Sequence, residues 1–252
     1  MNKSAVRIWT GLPRFLLSDL RQLVRTPGLL FFATVPVLMW SGLKIMVPLI
    51  NTLTLSYANL DLMEYASYAY SFLILVPGML GGMMVALMLV DDRDIGIIRY
   101  YGVLPFGKSG YLAGRTVNMY LLSWLLTVLY MALPGFYSFN GLQMLLVPPL
   151  ASMGGPFIAF IGAGIARNKV SVMAILKSLS GLYFIPILQF FIPDAFDIAL
   201  GIFPPYWVTR VYFLTAEPLT HGTELMLSVS ACIVTHAVYL ALSLKFFARR
   251  EN

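Results

Sequence analysis

Residues 91–115 read DDRDIGIIRYYGVLPFGKSGYLAGR. The stretch carries Asp91, Asp92, Arg93, Asp94, Arg99, Lys108 and Arg115, a quarter of the chain's charged residues. On both sides lie apolar runs of roughly twenty residues, the length a helix needs to cross a bilayer. The runs are continuous rather than alternating, which argues against a transmembrane β-barrel. The sequence is therefore read as an all-α, polytopic membrane protein, with this charged interruption between two crossings. Inside it, an acidic–basic cluster leads into one or two helical turns carrying Ile97, Ile98, Tyr101 and Leu104 on one side. Leu104-Pro105 stops that helix, and Gly114-Arg115 opens the next apolar run.

Composition supports this reading. Of 252 residues, 59% are apolar and only 11% are charged, and the mean hydropathy is +0.81. A soluble domain has about a quarter of its residues charged. At about 20 residues per crossing, five to seven helices fit and little remains for a soluble domain. The net charge is +6. The basic residues flank apolar runs, so they orient the chain in the membrane rather than bind nucleic acid. Cys232 is the only cysteine, which excludes an intrachain disulfide and a cysteine-built metal cluster. Residues 1–28 place Phe15, Leu16, Leu20, Leu23 and Val24 at helical spacing, among Lys3, Arg7, Arg14, Arg21 and Arg25. They are read as a basic amphipathic helix lying along the membrane surface, not as a cleavable signal.

One transmembrane domain is expected over 1–252, with six spans near 29–50, 70–90, 116–133, 142–165, 170–192 and 225–247. Gly78 and Gly82 in the second span make one smooth helix face. Ala151, Gly155, Ala159 and Ala163 make a second such face on the fourth span. Apart from Lys44, Lys177 and Arg210, all 17 basic residues fall on one side of this layout. Asp61, Glu64, Asp194, Asp197, Glu217 and Glu224 fall on the other. The positive-inside rule then puts both termini in the cytosol of a multi-pass cell-membrane protein.

Taken together, these features resemble the permease subunit of ABC-2 type transporters. Asp92-Arg93-Asp94-Ile95-Gly96, Leu104-Pro105 and Gly114-Arg115 follow the order of that family's loop between spans two and three. Phe203-Pro204-Pro205-Tyr206-Trp207 resembles the proline–aromatic segment before its last span, where a short re-entrant helical hairpin is expected. The resemblance implies two permease copies or a homologous partner, and separate ABC ATPase subunits that bind ATP and Mg. The chain itself is expected to bind no cofactor.

The chain lacks a G-x-x-x-x-G-K-[ST] phosphate loop, since Gly107-Lys108-Ser109 has no glycine at the earlier offset and follows no strand. Energy for uphill transport must then come from another subunit through contact. The expected docking surface is Asp91, Asp92, Arg93, Asp94, Gly96, Ile97, Ile98, Arg99, Tyr101, Leu104 and Pro105, against the plainer reading of a solvated connection. Asp91, Asp92 and Asp94 also suggest a Mg-diphosphate site, but no second acidic cluster shares their side. No H-E-x-x-H or G-x-S-x-G occurs, so no catalytic residue and no metal ligand is assigned, and His236 is read as a packed residue of the last span. Intramembrane polar residues suggest a substrate path. Lys44, Asn118, Lys177 and Gln189 are the candidates, with snorkelling the competing role for both lysines. Lys44 lies ~22 Å into the first span. The expected function is the permease of an exporter for an amphipathic drug, peptide or lipid. The alternatives are a membrane scaffold or immunity protein without a motor, and an ion-coupled carrier.

Overall fold

The computed structural model describes residues 27–103, 107–133, 137–193, 198–216 and 222–250, with isolated positions 21, 25 and 135. The amphipathic segment expected over 1–28 lies outside the described residues except for Arg21, Arg25 and the Pro27-Gly28 pair that opens the first helix. Among the described residues the architecture is all helical. The elements are α1 (Pro27–Ala58), a 3-10 turn (Leu62–Tyr65), α2 (Ala66–Leu73), α3 (Val76–Asp94), α4 (Ile97–Gly102) and α5 (Gly107–Ala132). They continue with α6 (Gly141–Ser152), α7 (Gly154–Ile165), α8 (Lys169–Ser180), a 3-10 helix (Gly181–Phe190) and a second (Ile198–Ile202). Last come α9 (Pro204–Leu214) and α10 (Gly222–Arg250).

Among the described residues six helices are long and apolar enough to cross a bilayer: Thr34–Ala58, Leu62–Asp94, Gly107–Ala132, Gly141–Ile165, Lys169–Phe190 and Gly222–Arg250. Three of them are composite. The second breaks at Ile74-Leu75, where Pro77 lacks an N–H and crowds the carbonyl of Leu73. The fourth breaks at Met153, where Pro156 removes the bond that would reach Ser152. The fifth passes from α-helix to 3-10 helix at Gly181.

A helix that is apolar on every side has to be buried, and the second span, mostly α3, is: 94% of its most apolar window is buried, against none of the first span's. It packs most extensively on α7. That contact, continued onto the end of α6, joins the two smooth faces anticipated from sequence. A methyl group on Gly78 would come within 2.6 Å of the Ala151 carbonyl oxygen, and one on Gly82 within 2.5 Å of the Gly155 carbonyl oxygen. The backbones meet at a distance only glycine permits. On its other side α7 packs against α10.

The spans alternate in direction, so α3, α7 and α10 end together with the starts of α5 and α8 at one basic end. At the opposite end Asn140 caps α6 through the Gln143 N–H, and its amide nitrogen donates to the Thr215 carbonyl at 2.8 Å. Pro204-Pro205 start α9, the helix formed by the proline–aromatic segment.

Candidate functional site

The charged stretch is shorter as a loop than its composition suggests. The helix of the second span runs on to Asp94, and α5 already begins at Gly107, so Asp91, Asp92, Asp94, Lys108 and Arg115 are all helical. Gly96 turns the chain between α3 and α4 with φ of +79°, in the left-handed region. Its N–H donates to the Arg93 carbonyl and its own carbonyl accepts from the Tyr100 N–H, both at 3.1 Å. The glycine of the acidic–basic–acidic–x–Gly cluster therefore has a backbone reason.

Asp92 is 3% exposed and faces inward. It forms an ion pair with Arg115 of α5, itself 4% exposed. The Tyr111 hydroxyl donates to the same carboxylate oxygen at 2.5 Å. Arg115 Nε donates to the Tyr111 oxygen at 3.3 Å, and its guanidinium lies 5.5 Å from the centre of the Tyr111 ring. Charges taken out of water are tolerated only with such full pairing. The triad ties α3 to α5. It also explains how two charged residues were absorbed into spans whose edges the sequence places outside them.

Arginines cap the end of α7. The last carbonyls of a helix have no partner within it and carry partial negative charge. Arg93 donates to the carbonyls of Ala163 (3.1 Å) and Ala166 (3.0 Å). Arg250, from the far end of α10, donates to those of Gly164 and Ile165. Lys169 at the start of α8 pairs with Asp91 at 2.8 Å. The ends of α3, α7 and α10 are thus held in one cluster of charge-assisted bonds.

On this base α4 lies with Ile98 buried and Tyr101 stacked on Tyr111, ring centres 4.9 Å apart. Asp92 and Ile98 are turned inward and are unavailable to an outside partner. Tyr101 is half-buried, and Asp91 and Arg93 are engaged within the chain. Leu104 and Pro105 lie outside the described residues. What faces out is Asp94, Ile95, Arg99, Tyr100 (62% exposed) and Val103 (82% exposed). Tyr100 and Val103 escape a reading that follows the apolar side of α4, since they lie on its other side. Tyr111 and Arg250 also escape it, because their partners are 19 and 86 residues away.

The four polar residues considered for a substrate path do not converge. Asn118 is buried one turn along α5 from Arg115. Lys177 is exposed on the outside of α8. Gln189 reaches Thr209 at 3.5 Å towards the opposite end. Lys44 is exposed on α1, its amino group 5.1 Å from the centre of the Trp40 ring. The three carboxylates weighed as a Mg site are drawn to separate cations, Asp91 to Lys169, Asp92 to Arg115 and Asp94 to Arg93.

Two relatives from Mycobacterium tuberculosis are each 25% identical over 236 residues, covering 92% of either chain. They are fluoroquinolones export permease protein MT2760 of strain CDC 1551 / Oshkosh and fluoroquinolones export permease protein Rv2686c of strain ATCC 25618 / H37Rv. No solved structure matches the chain. The family model described as fluoroquinolones export permease protein Rv2686c-like matches residues 19–244. An all-α body with six candidate spans and a family match over most of its length make this chain a member of that family, an ABC-2-type group of membrane export permeases.

Proposed function

We propose that the chain is the membrane half of an ATP-driven drug exporter, working with separate ATPase subunits and a second permease copy. The basic end is the cytosolic end, and α4 is the surface on which the ATPase presses. The observation that carries this is the contrast within α4. Its outer face leaves Arg99, Tyr100 and Val103 free for a partner, while its inner face rests on Tyr111 and the Asp92–Arg115 pair. A push on α4 reaches α3 and α5 through groups that do not yield. ATP binding in the partner then favours one of two packings of the spans, and the substrate is released from the other side. The relatives' names support a fluoroquinolone, or a planar drug of like chemistry, as cargo.

The test is the Arg99→Glu/Tyr100→Asp double variant in cells carrying the partner ATPase. It is expected to insert and fold like the parent, to lose co-purification of the ATPase, and to accumulate a fluoroquinolone that the parent expels. A variant that keeps the ATPase removes α4 as the docking surface. A parent that leaves drug accumulation unchanged removes the proposed cargo.

A further inference from the structure

At the end away from the basic cluster, aromatic rings from three helices and the connection after α5 form one group. Tyr70 of α2 has ring centres of Tyr130 at 6.3 Å and Tyr137 at 5.6 Å. Tyr212 of α9 lies 6.0 Å from Tyr137. Tyr130 and Tyr212 are 3% and 0% exposed, and neither hydroxyl has a hydrogen-bond partner. The indole N–H of Trp40 on α1 is likewise buried and unpartnered. A methyl on Gly135 would strike the Tyr70 hydroxyl and lie 4.0 Å from that indole nitrogen. Having no side chain, Gly135 thus lets the Tyr70 hydroxyl sit on the side where the Trp40 indole nitrogen also lies.

Buried polar atoms without partners are costly, about 1–3 kcal/mol each, and native proteins keep few of them. Three in one aromatic group need an occupant. Its chemistry follows from theirs. The indole is a donor only, and a phenol offers its O–H. Burial pushes the ionisation of Tyr212 up, so that phenol stays a donor. Beside the group stands Lys44, its ammonium over the Trp40 ring, with no carboxylate paired to it among the described residues. Donors, a cation and flat aromatic faces together select a planar aromatic ring bearing a carboxylate.

We propose that Trp40, Lys44, Tyr70, Tyr130 and Tyr212 form a release-side site for an aromatic carboxylate, closed upon itself in this conformation. The site opens when α1, α2, α5 and α9 separate, and the ligand's oxygens then accept from the phenols and the indole. The inference rests on the export reading above and adds the substrate's recognised group and its place.

The full chain with its ATPase, reconstituted in proteoliposomes, tests it. The probes are norfloxacin, a fluorescent aromatic carboxylate, and its decarboxylated analogue. Tyr130→Phe keeps the ring and removes its hydroxyl, and Trp40→Phe keeps an aromatic side chain, smaller than the indole, and removes its N–H. Each is expected to weaken norfloxacin binding about 10-fold, the loss of one hydrogen bond to a charged group, with matching loss of transport. Lys44→Gln is expected to do the same for norfloxacin and to leave the decarboxylated analogue unaffected. If the parent binds and moves norfloxacin and all three variants match it, the site is overturned while the export reading stands. If the parent neither binds nor moves it, the site and the proposed cargo fall together. Thermal unfolding of each variant separates lost binding from lost fold.

Discussion

The two ends of this permease treat polar groups in opposite ways. At the basic end charges are matched: Asp92 with Arg115 and Tyr111, Asp91 with Lys169, and the α7 carbonyls with Arg93 and Arg250. At the other end, rings pack closely while the hydroxyls of Tyr130 and Tyr212 and the indole of Trp40 lack partners. Satisfied networks make a structure rigid and single-valued, and unsatisfied ones leave a reason to rearrange. The difference teaches where each task resides. On the proposed reading, one end would keep its shape under load and the other would exchange its own contacts for those of a guest.

The largest blow to that contrast is Asp92→Ala. It strands a buried guanidinium, and breaking such a pair costs about 3–5 kcal/mol. The chain should fall to a much lower Tm in detergent, or fail to accumulate. Asp92→Leu/Arg115→Met should recover most of the loss, because replacing both partners by apolar groups is often neutral. If the single change is as stable as the parent, the basic end is not held as described. Next is Gly82→Val, which forces apart backbones that now touch at Gly155. Overpacking of this kind costs about 1–3 kcal/mol, visible as a lower Tm with normal membrane insertion. Arg250→Ala removes two bonds to α7 carbonyls near solvent. A loss of about 0.5–1 kcal/mol is expected, shrinking as salt rises. The smallest effect has the opposite sign. Tyr130→Phe deletes a buried hydroxyl with nothing to bond, so its Tm should equal or exceed the parent's. A clear drop would show the phenol is already satisfied and would erase the difference between the ends.

Much of the fold could be read from the chain. The six apolar runs are long, and the glycine face at 78 and 82 and the small-residue face at 151–163 were each visible as helical spacing. That these two faces meet was not, because register between distant helices has no local signature. Charge misled the span edges. Lys108 and Arg115 look like loop residues until Arg115 finds Asp92, and that pairing spans 23 residues. The same holds for the site. Gly96 announces its turn, yet the side of α4 that faces outward depends on Tyr111 lying beneath Tyr101. The aromatic group was hidden more deeply, since Tyr70, Tyr130 and Tyr212 come from three separate elements and stand at no motif spacing.

Consider finally the length of α3. Its 19 residues make a rod of roughly 28 Å at 1.5 Å per residue, with α4 hinged at one tip by Gly96 and α2, bearing Tyr70, joined at the other. On the proposed coupling such a rod, packed along α7, would tilt as one piece. A tilt of only about 5° applied at its foot carries the distant tip sideways by about 2 Å over that rise. Under the proposed coupling that would be enough travel to slide one phenol ring off the next, a small stroke below setting a door ajar above.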